Sequence, residues 1–89
     1  MLRISSPVEA DSLVTLKVEG ALAGDWVTLL EAECVRHLDA QKSVELDFSG
    51  VRFVDRDGVA MTQALFTRGV RVVGATALVN ALLGRSGVP

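Results

Sequence analysis

The chain has 89 residues, 49% of them hydrophobic, and a formal net charge of −2 with charges of both signs interspersed. That hydrophobic share excludes a disordered chain, the length fits one domain with a modest core, and the lack of a basic block argues against nucleic acid as a partner. No apolar run approaches the roughly 20 residues needed to span a bilayer, residues 1–12 carry Arg3, Glu9 and Asp11 where a signal peptide would need an apolar core, and Cys34 stands alone, which rules out a disulfide framework or a thiolate metal cluster. The expectation is one cytoplasmic domain over residues 1–89, with no cofactor and no direct membrane insertion.

Residues 2–5 (LRIS) alternate apolar and polar and predict a short strand, followed by a turn from Pro7 to Ser12. Residues 13–19 (LVTLKVE) give the cleanest alternation, with Val14, Leu16 and Val18 on one face and Thr15, Lys17 and Glu19 on the other. Gly20 and Gly24 bracket a short loop. Residues 25–40 predict a helix with Asp25 as N-cap. Its apolar stripe is Val27, Leu30, Cys34 and Leu38, widened by Trp26 and Leu29. Gln41 and Lys42 turn the chain into a strand at 43–48 (SVELDF). Ser49 and Gly50 then break that strand, and VRFV leads into Asp55. After Gly58 a second helix shows Met61, Ala64 and Leu65 on one face and stops at Gly69. Residues 70–73 (VRVV) predict a strand. Thr76 caps a third helix whose apolar face is Leu78, Val79, Leu82 and Leu83, ended by Gly84, and 85–89 form a tail.

The order is β-β-α-β-α-β-α. Every strand keeps polar residues on one face: Arg3, then Thr15, Lys17 and Glu19, then Glu45 and Asp47, then Arg71. A sheet covered on both sides would read as continuous apolar runs. The prediction is therefore an α/β fold, a small mixed β-sheet with three α-helices packed on one face.

The stretch VRFVDRDGV, residues 51–59, asks for a chemical reading. A strand ending in D-x-D-G resembles the nucleophile motif of haloacid-dehalogenase-like phosphohydrolases. That chemistry also needs a downstream cationic phosphate clamp and an acidic pair, and the chain after Gly58 holds no Lys, Asp or Glu. An EF-hand loop starting at Asp55 would need Glu at its twelfth position, where Phe66 stands. Cys34 and the lone His37 lie one turn apart on the first helix. Cys34 reads as a core thiol, and His37 as a surface residue at the helix end. What remains is a corner: Asp55 or Asp57 caps the second helix, and the same corner offers a docking surface of Asp55, Arg56, Asp57 and Gly58, with Ala21–Asp25 beside it. Gly58 either eases the turn or admits a partner's backbone.

These segments resemble the STAS domain family of sulfate transporters and anti-sigma factor antagonists. VTLKVEGALAGDWVTLL is similar to the family's strand, turn and first helix, VELDFSGVRFVDRDGVAM to its most specific stretch, and GVRVVGATALVNALLGRSGV to its last strand and helix. In the middle stretch Asp47, Ser49, Gly50, Phe53, Asp55 and Gly58 match. The resemblance implies a non-catalytic protein-binding domain in regulatory signalling, whose partner is an anti-sigma factor that is also a Ser/Thr kinase-like ATPase. It sets Arg56 where the family has its first Ser of D-S-S-G and Asp57 where it has the phosphoacceptor Ser. A phosphoserine carries about −1.5 to −2 charges on three acceptor oxygens, whereas a carboxylate carries −1 on two. Asp57 thus reads as a permanent, partial imitation of the phosphorylated form, which would hold the chain off with respect to such a kinase or leave it regulated some other way; Arg56 beside it reads equally well as neutralising the corner. The segment from Gly58 to Arg71 looks about one helical turn shorter than the family's. The alternative that the resemblance leaves is a separate subunit of an ABC-type lipid or anion transporter. Unpaired edge strands leave a homodimer open, while Lys17 and Arg71 read equally well as charges that block one.

Overall fold

The computed structural model describes residues 2–10 and 12–84, taking residues 6–10 by backbone alone. Seven elements follow in the expected order: β1 (Leu2–Ala10), β2 (Leu13–Leu22), α1 (Asp25–Asp39), β3 (Ser43–Val54), α2 (Arg56–Thr67), β4 (Arg71–Val73) and α3 (Ala77–Leu82). They form one four-stranded sheet in the order β1-β2-β3-β4. β1 runs antiparallel to β2, whereas β2–β3 and β3–β4 are parallel pairs joined through helices.

One face of the sheet builds the core. Val14 and Leu16 of β2 pair in register with Val44 and Leu46 of β3, Val18 and Phe48 lie at the register shift that follows, and all six are buried, as is Val72 of β4. Val27, Leu30 and Cys34 of α1, Met61 and Leu65 of α2, and Val79 of α3 close over them. The opposite face stays polar. Lys17 is in register with Asp47, and Glu45 with Arg71, whose guanidinium lies 3.5 Å from it.

Two strands run on where the sequence suggested a stop. β1 continues to Ala10 in place of the turn from Pro7. Its register against β2 shifts between Ser5 and Val8, so an edge strand absorbs a proline that has no N–H to donate. β3 is one strand of 12 residues. Its buried positions are Val44, Leu46, Phe48, Val51 and Val54, so the spacing changes from two to three at Ser49. The pairing with β2 shifts register twice there, between Lys17 and Glu19 and between Gly20 and Ala21. Each β-bulge takes up one extra β3 residue and returns the next apolar side chain to the core.

The helix faces are narrower than the apolar pattern implied. Leu29, Leu78 and Ala64 are exposed, and Trp26 and Leu38 are only partly buried. His37 corrects the other way. It is buried on the inward side of α1, at the same angular position as the core stripe, and not on the surface.

Candidate functional site

β2 and β3 are parallel, so both deliver their C-terminal ends to the same edge of the molecule. Leu22 and Val54 are the last pair in register, and each is followed within three residues by a helix start. The two strand-to-helix junctions therefore lie side by side. The Asp55 N–H donates to the Leu22 carbonyl at 3.0 Å, which closes them onto each other.

The Asp55 carboxylate binds both junctions. Its Oδ1 accepts from the Gly58 N–H at 2.7 Å, the N-cap bond of α2. Its Oδ2 accepts from the Gly24 N–H at 3.0 Å, across to the start of α1. The bond from Gly58, then that from Gly24, hold the carboxyl below the ordinary carboxylate range. Helix N-termini attract anions because their first N–H groups lack partners. Here the chain supplies that anion from its own side chain.

This arrangement corrects the reading of Asp25 as a cap. α1 is capped at Gly24 with no side-chain bond, and Asp25 is the first helical residue, exposed. The carboxylate that reaches the start of α1 is instead that of Asp55, the residue after β3 and 31 positions along the chain from Gly24. Asp25 still puts negative charge at the positive end of the helix. Of the alternatives for α2, Asp55 is the cap, while Asp57 and Arg56 stand exposed on its first turn. Gly58 lies inside that turn, two residues after the helix start at Arg56, and is buried. A Cβ on it would stand 2.7 Å from Val54 Cγ1 and 2.9 Å from the Leu22 carbonyl oxygen. Its smallness lets α2 approach both strand ends.

The structure thus places Asp25, Asp55, Arg56 and Asp57 at one end of the sheet, with Gly58 beneath them. It adds Phe53, which is 47% exposed two residues before Asp55. The sequence held a signal for this: Phe53 falls between the inward positions 51 and 54, but only the bulged register makes it an outward residue.

Cys34 is fully buried, and burial, followed by the charges of Glu33 and Glu31, pushes its thiol up to about 12. Among the described residues no group of three or more His, Cys, Asp or Glu side chains is placed to hold a metal ion, and no helix is long and apolar enough to cross a membrane.

A small mixed sheet with its helices on one face, and two neighbouring strand-to-helix junctions at one edge, defines a STAS-like fold. A solved structure with that fold is the anti-sigma factor antagonist SpoIIAA in its unphosphorylated form. It matches 97% of this chain and 100% of its own at a TM-score of 0.58 and 14% sequence identity, a likeness of fold. No family model matches the sequence, and no curated protein matches it.

Proposed function

We propose that residues 1–89 act as one non-catalytic protein-interaction domain of the anti-sigma factor antagonist kind, working in the cytoplasm in regulatory signalling. The observation that carries this reading is the Asp55 carboxylate, which fixes the two junctions to each other and leaves Arg56 and Asp57 exposed above them. The rim of the docking surface is Asp25, Arg56 and Asp57. Asp55 and Gly58 position that rim from below. A fold likeness to an anti-sigma factor antagonist supports the class of function.

Asp57 occupies the position that the family resemblance gives to the phosphoacceptor serine, and a carboxylate is no substrate for a Ser/Thr kinase. The domain is therefore controlled without phosphorylation there. The test is affinity capture from the native lysate with the wild-type chain and with Asp57→Ser, read by mass spectrometry. The reading expects a kinase-like ATPase on the wild-type chain and phosphate on the introduced serine. Capture of a permease or transport ATPase by both forms would replace it with a transporter-subunit role. Magnesium-dependent phosphate-ester hydrolysis lost in Asp55→Asn would replace it with an enzyme.

A further inference from the structure

Among the described residues the open face of the sheet sets charges of opposite sign opposite each other, strand by strand, with Arg52 as the exception. Arg3 of β1 is in register with Glu19 of β2, Lys17 with Asp47 of β3, and Glu45 with Arg71 of β4. Cross-strand pairs of opposite sign are the ordinary way to stabilise a solvated face. Arg52 has no such counterpart. The ladder pairs Gly20 with Val51 and Ala21 with Phe53, so Arg52 is the extra residue of the second bulge. Bulges re-aim side chains in this way.

Arg52 lines a shallow depression of about 400 Å³ together with Arg3, Glu19, Gly20, Gly50 and Leu2. Two of its lining residues, Gly20 and Gly50, carry no side chain. Gly50 is fixed there by contact, since a Cβ would stand 2.8 Å from Glu19 Cγ. Glu19 lies across that glycine between the two arginines, yet no ion pair joins it to either among the described residues. Two exposed guanidiniums and one carboxylate thus leave an excess positive charge in a chain whose net charge is negative. Guanidinium is the side-chain group best matched to carboxylate, through two parallel N–H donors.

We propose that this depression docks an acidic segment of a protein partner, with Arg52 as the principal contact and Arg3 as the second. The occupant follows from charge complementarity: the site offers two guanidinium donors to a carboxylate. The surface is separate from the exposed rim of Asp25, Arg56 and Asp57, and it stands whether or not that rim binds anything.

The test is amide NMR on the ¹⁵N-labelled full chain at low ionic strength, titrated with an end-blocked tetra-glutamate peptide. Saturable shifts are expected at Gly20, Gly50 and Arg52, with none from tetra-glutamine. Arg52→Gln should weaken binding roughly tenfold, the loss of a charge-assisted contact, and Arg3→Gln should weaken it less. Arg52 is exposed, and the dispersion of the variant spectrum checks its fold directly. Absent shifts, or shifts of equal affinity in Arg52→Gln, overturn the proposal. So does inorganic phosphate reproducing the same shifts at the same concentration, which would make the depression a site for free anions.

Discussion

Thr62 sits on the inward face of α2, fully buried, and its hydroxyl oxygen finds no hydrogen-bond partner among the described residues. A buried hydroxyl without a partner keeps the cost of leaving water and gains nothing in return. Valine has nearly the same shape and a similar helix propensity. Thr62→Val should therefore raise stability by about 1 kcal/mol, seen as a higher urea midpoint at unchanged slope; an unchanged or lower midpoint would mean that the hydroxyl is satisfied. Cys34 makes the opposite point about reactivity. With its thiol held near 12, almost no thiolate exists at neutral pH. Iodoacetamide at pH 8 should leave the native chain unmodified over a period in which the urea-unfolded chain is alkylated completely. Equal rates in the two states would show that the thiol is exposed.

At the scale of elements, the turn between β3 and α2 depends on Gly58. Replacing it by alanine improves helix propensity by up to about 1 kcal/mol. Against that, the new methyl would press on Val54 and on the Leu22 carbonyl oxygen, at 2.7 and 2.9 Å. The carbonyl belongs to a paired strand and cannot turn aside, and overpacking of this kind costs about 1–3 kcal/mol. Gly58→Ala should lower the thermal midpoint, and Ala60→Gly, an exposed change on the same helix, separates this clash from a propensity effect. A Gly58→Ala variant as stable as the wild type would mean that α2 can ride up from the strand ends. The identity of this turn was legible in the sequence, because D-x-D-G after an apolar run marks a strand-to-helix junction. The continuity of β3 was not. Its apolar spacing of two changes to three at Ser49, which in a linear reading looks like a break, and only pairing with β2 shows it as two bulges. The same limit explains Asp25. A helix start with an acidic residue predicts a local cap, but the carboxylate that serves α1 comes from another element. His37 was misread because a polar residue near a helix end suggests solvent, although its position on the wheel falls within the core stripe.

The whole molecule is a sheet with a covered and an open face, and three carboxylates whose ionised form the fold favours sit at separate places on it. Asp55 is lowered by the Gly58 and Gly24 N–H groups, Asp47 by the Ser49 N–H and hydroxyl on the open face, and Glu33 by Arg36 on the outer side of α1. All three shifts are downward, so each contributes stability that is complete above the unfolded carboxyl pKa of about 4 and is lost as pH falls through the lower native value. They are not equal. The Glu33–Arg36 pair is a solvated i,i+3 contact, a type worth little. Asp47 holds a turn within one strand. Asp55 alone joins two helix starts on different strands, so its ionisation should dominate the acid response. Asp55→Asn removes the charge, and its amide nitrogen must face one of the two N–H donors. The variant should have a lower urea midpoint than the wild type at neutral pH. The gap between them should narrow as pH falls below about 4, where protonation makes the native side chain neutral as well. Asp57→Asn, exposed on the same turn and bonded to neither junction, should leave the wild-type profile in place. If the Asp55→Asn gap persisted undiminished down to about pH 3, shape and not charge would be what ties the corner together, and the internal-anion account of the two junctions would fail.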